Sequence, residues 1–310
     1  MCIRDRLLDW PWIKNFPRKL KVLIYDLLYF SWKLNKIGIP TKIILPYHDC
    51  RIPKSFWSIT EIFVHDDSIL TISPNSITEK VIVTYYKIRL KRQLAYKGAQ
   101  FSTVSEDSAI RLKKIFGLNF RVQYNTLEKS YFDLFSTDKF SSCRIKINFL
   151  YSGGFHYRKN FEFACEVVKK YSELHIHTQI YFYITGQVPR EVIRKFFNEK
   201  IANLTIIESG ILQTDSLVCL YRQCHVNLYP TENEGFGRVV PESILSLCVV
   251  ATQPLLLFDE IAGESNFRVS PPSLLTSHWV QHINLKLELL QRQSPIMNNC
   301  EIEYFSKFRP

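Results

Sequence analysis

The sequence predicts an α/β fold in two domains, and three observations carry that expectation. The chain has 310 residues, enough for about two domains. Strand-like and helix-like segments alternate on both sides of a polar stretch from Glu128 to Arg144, the pattern of parallel sheets. The run Glu234-Gly-Phe-Gly-Arg-Val-Val-Pro-Glu242 joins an apolar strand to a helix. Such crossings, beyond the carboxyl ends of strands, are where open α/β sheets bind ligands.

The N-terminal domain is expected over residues 1–143. Lys42–Pro46 reads as a short strand ending at Tyr47-His48-Asp49, and residues 51–76 read as loop. A helical stretch carrying Lys87, Arg89, Lys91, Arg92 and Lys97 follows, and then a strand at Phe101–Val104. Ser105 can cap the next helix and Gly117 can end it. Ala109, Leu112 and Phe116 share one face of that helix. Phe120–Tyr124 is the next strand.

The C-terminal domain is expected over residues 144–310. Ile145–Tyr151 is a strand and Ser152-Gly-Gly154 a turn. The helix Asn160–Tyr171 places Phe161, Ala164, Cys165 and Val168 on one face. Strands follow at Gln179–Thr185 and Leu204–Ile207, then a helix at Asp215–Gln223. Cys224-His-Val-Asn-Leu-Tyr-Pro230 is a buried strand, Ser243–Leu247 a helix and Cys248–Thr252 the last strand. His278–Gln291 looks helical.

The composition, 46% hydrophobic and 14% aromatic, supports sizeable cores rather than disorder. The net charge of +11 suits an anionic ligand, an anionic membrane surface or a nucleic acid. No zinc spacing, Gly-rich phosphate loop or repeat favours nucleic acid. The 8 cysteines form no CxxC pair, which suits a reduced, cytoplasm-facing protein without disulfides or a metal site. Cys165, Cys219 and Cys248 sit in apolar runs, as buried cysteines do. No segment approaches the length needed to span a bilayer. Residues 1–6 lack the apolar core of a signal peptide and fit no element, so the N-terminal domain is expected to be incomplete.

Two constellations carry the chemistry. In the first, Ser152-Gly153-Gly154-Phe-His-Tyr-Arg158-Lys159-Asn160 leads from a strand through glycines and cations into a helix, the make-up of an anion site. A solvated basic loop is the alternative. In the second, Gly235 and Gly237 let backbone approach a ligand. Pro241 suits a first helical turn, and Glu242 is favoured there by the helix dipole. The alternative is a loop glutamate and a helix-start charge. His156 and Tyr157 are expected to face solvent, and His225 to be a satisfied core histidine. The basic stretch Lys87–Lys97 is expected to be a solvated face, with contact to anionic lipid as its alternative.

Together these runs resemble the C-terminal domain of retaining glycosyltransferases of family four, which have the GT-B fold of two Rossmann-like domains facing each other across a cleft. The residues are Phe149-Leu-Tyr-Ser-Gly-Gly154 with Arg158-Lys-Asn160, Tyr229-Pro-Thr-Glu-Asn-Glu-Gly-Phe-Gly237 and Pro241-Glu242. Phe101-Ser-Thr-Val-Ser-Glu-Asp-Ser108, Val122-Gln-Tyr-Asn125 and Tyr47-His48-Asp49 are similar to N-terminal segments of the same family, in the same order. The resemblance covers roughly residues 35–270.

The resemblance implies transfer of a sugar from a nucleotide diphosphate sugar to a hydroxyl acceptor with retained anomeric configuration and without a metal. It implies that Lys159 contacts the diphosphate, Glu242 the ribose and Glu234 the sugar hydroxyls. Backbone at Gly235, Phe236 and Gly237 would lie near sugar and phosphates, with Gly153, Gly154 and Arg158 in the phosphate loop. His48 would reach the donor sugar from the other domain, and backbone near Glu208–Ile211 would meet the base. No cofactor beyond the donor substrate is implied. The expected partners are the donor and an acceptor, lipid-linked or a polysaccharide precursor, with peripheral membrane contact and no nucleic acid. Three departures accompany the resemblance: Gly154 stands where the family often has a phosphate-binding arginine, Leu245-Ser-Leu-Cys248 lacks the glycine that usually ends the helix after Glu242, and no glycine-rich acceptor loop precedes the first strands. The alternative reading is a non-catalytic nucleotide-sugar binder. A dinucleotide oxidoreductase is disfavoured, since no Gly-x-Gly-x-x-Gly follows a strand.

Overall fold

A computed structural model describes residues 43–45, 54–65, 77–95, 98–133, 139–292, 297 and 299–310. By its contacts the chain divides into two compact units, one ending at Gln123 and the other beginning at Tyr124.

The first unit is a parallel sheet of order β1-β2-β3-β4. Its strands are β1 (Ile43–Leu45), β2 (Thr60–Val64), β3 (Gln100–Thr103) and β4 (Arg121–Val122). Helix α1 (Ile77–Leu94) lies between β2 and β3, and α2 (Glu106–Phe116) between β3 and β4. Strand β2 corrects the reading of residues 51–76 as loop: Thr-Glu-Ile-Phe-Val is a β-rich run flanked by turn residues that mask it. Helix α2 forms as its caps dictate. The Ser105 hydroxyl accepts from the Ser108 N–H at 3.1 Å, and Gly117 closes the helix with φ 70°. Leu90 and Leu94 of α1 pack with Leu112 of α2 and Val64 of β2 in one core cluster. The basic residues Lys87, Lys91 and Arg92 are exposed, as a solvated face requires.

The second unit has six parallel strands in the order β10-β9-β8-β5-β6-β7. They are β5 (Lys146–Tyr151), β6 (Gln179–Thr185), β7 (Leu204–Gly210), β8 (Val226–Tyr229), β9 (Val249–Thr252) and β10 (Arg268–Val269). Read from β5, the chain runs outward one way through β6 and β7, then returns to run the other way through β8, β9 and β10. This is doubly wound topology, with its switch point between β5 and β8. Strands β5, β8 and β9 are almost continuously buried, as parallel strands covered on both faces are.

The helices of this unit are α3 (Phe161–Leu174), α4 (Arg190–Phe196), α5 (Thr214–Gln223), α6 (Val239–Leu245), α7 (Leu256–Ala262), α8 (Thr276–Arg292) and α9 (Asn299–Phe305). Phe161, Ala164, Cys165 and Val168 of α3 are all buried, as their spacing requires. Helix α6 begins earlier than Ser243, so Glu242 belongs to its first turn and Pro241 lies inside that turn. Cys219 corrects the expectation of burial. It is exposed on α5, because its neighbours Val218, Leu220 and Tyr221 take the inward face. His225 is a satisfied core histidine. Its Nδ1 accepts from the Asn148 N–H at 2.9 Å, so its Nε2–H donates to the Lys139 carbonyl at 3.0 Å. Among the described residues no helix is long and apolar enough to cross a membrane.

Candidate active site

The two constellations sit on neighbouring strands at the switch point. Strand β5 delivers Ser152–Asn160 and β8 delivers Pro230–Gly237, and the two strands pair at Phe149↔Val226 and Leu150↔Asn227. Both loops therefore leave the same edge of the sheet side by side.

Hydrogen bonds stitch the loops together. The Glu232 N–H donates to the Arg158 carbonyl at 2.9 Å, and the Arg158 guanidinium donates to the Asn233 carbonyl at 3.2 Å. Asn160, with φ 48° in the left-handed region that Asn tolerates, donates from Nδ2 to the Pro230 carbonyl at 3.0 Å. The first glycine of the β5 loop is sterically required, because a Cβ on Gly153 would fall 2.7 Å from the Tyr151 hydroxyl. That hydroxyl donates to the Gly154 carbonyl at 2.8 Å and so fixes the turn. The loops after β6 and β7 join in: the Phe155 N–H donates to the Gln187 carbonyl at 3.2 Å, and the Gly186 N–H to the Gly210 carbonyl at 2.7 Å.

Lys159 and Glu234 meet directly. The Lys159 ammonium is ion-paired with Glu234 Oε1 and donates to the Tyr229 hydroxyl at 2.9 Å. The same carboxylate oxygen accepts from Tyr229 at 2.7 Å and from Thr231 Oγ1 at 3.0 Å. Lys159 Nζ also lies 4.9 Å from the centre of the Tyr229 ring. Both charged side chains are largely shielded, at 14% and 9% exposure, so their attraction is screened less than that of a surface pair.

Glu242 is buried and joins the β5 loop through Tyr221. The Tyr221 hydroxyl lies 3.3 Å from Glu242 Oε2 and 3.0 Å from Ser152 Oγ. Asn227 of β8 donates to Ser152 Oγ at 3.0 Å and to Ser243 Oγ at 2.9 Å, which ties α6 to the same turn. Burial pushes the Glu242 carboxyl up to about 7, against the opposing pull of Arg238. Between the two glutamates, Gly237 has φ 70°, and a Cβ there would come 2.8 Å from the Phe258 ring. Phe236 is buried, its ring edge-on to Phe308 at 5.5 Å and tilted against Tyr124 at 6.4 Å.

Of the residues expected from sequence, Gly153, Gly154, Arg158, Lys159, Glu234, Gly235, Phe236, Gly237 and Glu242 all lie on these two loops and the helix they feed. His48 lies outside the described residues. His156 and Tyr157 are exposed, and their rings pack on each other at 4.5 Å. Sequence reasoning missed the polar supports, which are Tyr221, Asn227, Tyr229, Thr231 and Arg238. Only Arg238 left a signal, because it stands four residues before Glu242 on one helical face.

No protein-family model matches the sequence, and no curated protein matches it significantly. Solved structures do match its fold. WaaG, a glycosyltransferase involved in lipopolysaccharide biosynthesis, superposes with a TM-score of 0.58 at 14% identity, over 95% of this chain and 78% of that one. HepE (Alr3699) from Anabaena, solved with UDP and glucose, gives 0.62 at 14% identity over 92% and 79%. A trehalose 6-phosphate synthase from Burkholderia multivorans gives 0.59 at 10% identity over 94% and 72%. These are GT-B glycosyltransferases, and this chain has the GT-B fold.

Proposed function

We propose that this chain is a glycosyltransferase that moves a sugar from a nucleotide diphosphate sugar to a hydroxyl acceptor, with retained anomeric configuration and without a metal. The observation that carries the reading is the contact between Lys159 and Glu234 across two loops at the topological switch point, with Glu242 tied to the same turn through Tyr221 and Ser152. A lysine there can neutralise the departing diphosphate, and such electrostatic assistance is worth most in a shielded site. The carboxylates of Glu234 and Glu242 accept hydrogen bonds from hydroxyls of the sugar and the ribose. In this reading Gly153, Gly154, Arg158 and the Gly235–Gly237 backbone cradle the donor, and His48 keeps the donor-sugar role that the family resemblance gives it. The match to HepE, solved with UDP and glucose, supports the donor class. The exposed cations of α1 support peripheral contact with an anionic membrane surface, where a lipid-linked acceptor would be met.

The test is turnover of a panel of UDP- and GDP-sugars by wild type, Lys159→Ala and Glu234→Gln. Each variant is expected to lose about 100-fold or more in kcat, the scale of a lost transition-state contact. Wild-type rates in both would remove these residues from the mechanism. A second reading, a non-catalytic nucleotide-sugar binder, is favoured by one observation: Lys159 is already neutralised by Glu234, while Gly154 offers no side chain to phosphate. Nucleotide-dependent thermal stabilisation of a protein that turns over no donor would select it.

A further inference from the structure

Among the described residues the Glu242 carboxyl is ion-paired with Arg238, and that partner is itself held from elsewhere. Arg238 Nε donates to Glu242 Oε1 at 3.1 Å, one helical turn along the chain. The other arm of the same guanidinium donates to Glu128 Oε2 at 2.6 Å. Glu128 lies four residues past Tyr124, where the second unit begins, and immediately before a short helical turn at Lys129–Phe132. The charged chain therefore reads Glu128–Arg238–Glu242 and ends on a carboxyl that is 7% exposed.

We infer that Arg238 is a positioning residue for this site: strung between Glu128 and Glu242, its guanidinium draws the buried Glu242 carboxyl toward its ionised form and fixes it so that both oxygens can accept from vicinal ribose hydroxyls. The inference rests on Glu242 as the ribose ligand proposed above. Its physical content is the contrast between a carboxylate and a carboxylic acid. The carboxylate only accepts hydrogen bonds, through two oxygens, whereas the acid spends one oxygen as a donor. A buried carboxyl drifts toward the acid unless a cation opposes the drift. The other titratable groups that face Glu242 are Tyr221 from α5 and Tyr131 from the Lys129–Phe132 turn. Both phenols are pushed up by burial and by the Glu242 charge, so they stay neutral and cannot replace the guanidinium. Glu128 acts the other way on Glu242 through space, yet by anchoring Arg238 it keeps the cation in place.

Two readouts test this. The first needs no nucleotide: carboxyl carbon NMR of the Glu-labelled protein, with Glu242→Gln assigning the resonance. In Arg238→Gln the Glu242 titration is expected to move up by about one pH unit, in Arg238→Lys to return most of the way, and in Glu128→Gln to move by less. The second is calorimetric titration of UDP and GDP from about pH 6 to about pH 9, where Arg238→Gln is expected to bind about fivefold more weakly near neutrality and to recover as pH rises. A merely structural arginine would lower the melting temperature, weaken binding equally at every pH and leave the carbon titration in place, and that result would overturn the inference. Should wild type bind neither nucleotide while the Glu242 titration still follows Arg238, the sugar-nucleotide reading falls and the electrostatic coupling stands.

Discussion

Leu247 takes the backbone conformation of a glycine. It follows α6 with φ 52°, one of two non-glycine residues with positive φ among those described, and is 2% exposed. The helix end therefore needs a left-handed residue, and the missing glycine at Leu245-Ser-Leu-Cys248 changes the residue and not the geometry. A leucine there carries about 1 kcal/mol of backbone cost, offset by about 2–3 kcal/mol from burying its side chain. This makes an unusual prediction. Truncation to Leu247→Ala should forfeit the burial and keep the strain, while Leu247→Gly forfeits the burial and relieves the strain. The glycine variant should be the more stable by about 1 kcal/mol, the reverse of the usual order of these two residues in a helix. Urea unfolding of the two variants side by side decides it, and an alanine variant at least as stable as the glycine one refutes the account.

At the scale of elements, the sequence made legible whatever rests on local pattern. Ser105, Gly117 and the apolar stripes of α2 and α3 obey capping and periodicity alone. The strands β5, β6, β8 and β9 announce themselves as apolar runs. The site loops were legible because glycines and paired charges stand next to those strands. Hidden features were those whose partner is far along the chain. Strand β2 is flanked by turn-forming residues, and its identity depends on pairing with β1 and β3. Tyr229 and Tyr221 read as core aromatics, and only their hydroxyl contacts with the two glutamates give them a polar role. The segment after Gln123 is another case. Its polar composition conceals Leu127, Tyr131, Phe140 and Cys143, which are all buried. Lys139 in that segment closes α5. Its ammonium donates to the carbonyls of Arg222 at 3.1 Å and Cys224 at 2.6 Å, the next-to-last residue of the helix and the residue just beyond its end. Burial pushes the lysine down from its usual range, so the charge is held against a desolvation penalty. Lys139→Met keeps the aliphatic stem and removes the donors, leaving buried carbonyls without this partner. A loss of about 1–3 kcal/mol in chemical denaturation is expected. A variant as stable as wild type would mean that the capping bonds contribute nothing net.

For the chain as a whole, two buried titratable groups in the second unit set opposing pH dependences. His225, held between β5 and β8, is pushed down from 6.5 to about 4 by burial. The unfolded chain therefore takes up a proton that the folded one refuses, and stability falls as pH drops from about 6.5 toward about 4. Glu242 is shifted the other way, from 4.5 up to about 7. Here the folded chain holds a proton that the unfolded one has released, so stability falls as pH rises from about 4.5 toward about 7. Across the shared window the two slopes oppose each other, and the wild-type profile is expected to be shallow. Each variant should unmask the other group. Glu242→Gln leaves His225 unopposed, so stability should climb with pH through this window by about 2–3 kcal/mol at most. His225→Gln leaves Glu242 unopposed, and stability should fall with pH by a similar amount. Because the chain has two units, global unfolding need not be two-state, and hydrogen exchange of the β8 and β9 amides is the measurement that reads this unit alone. Slopes of opposite sign in the two variants are required; parallel profiles would show that neither group governs the acid and alkaline limits of this sheet.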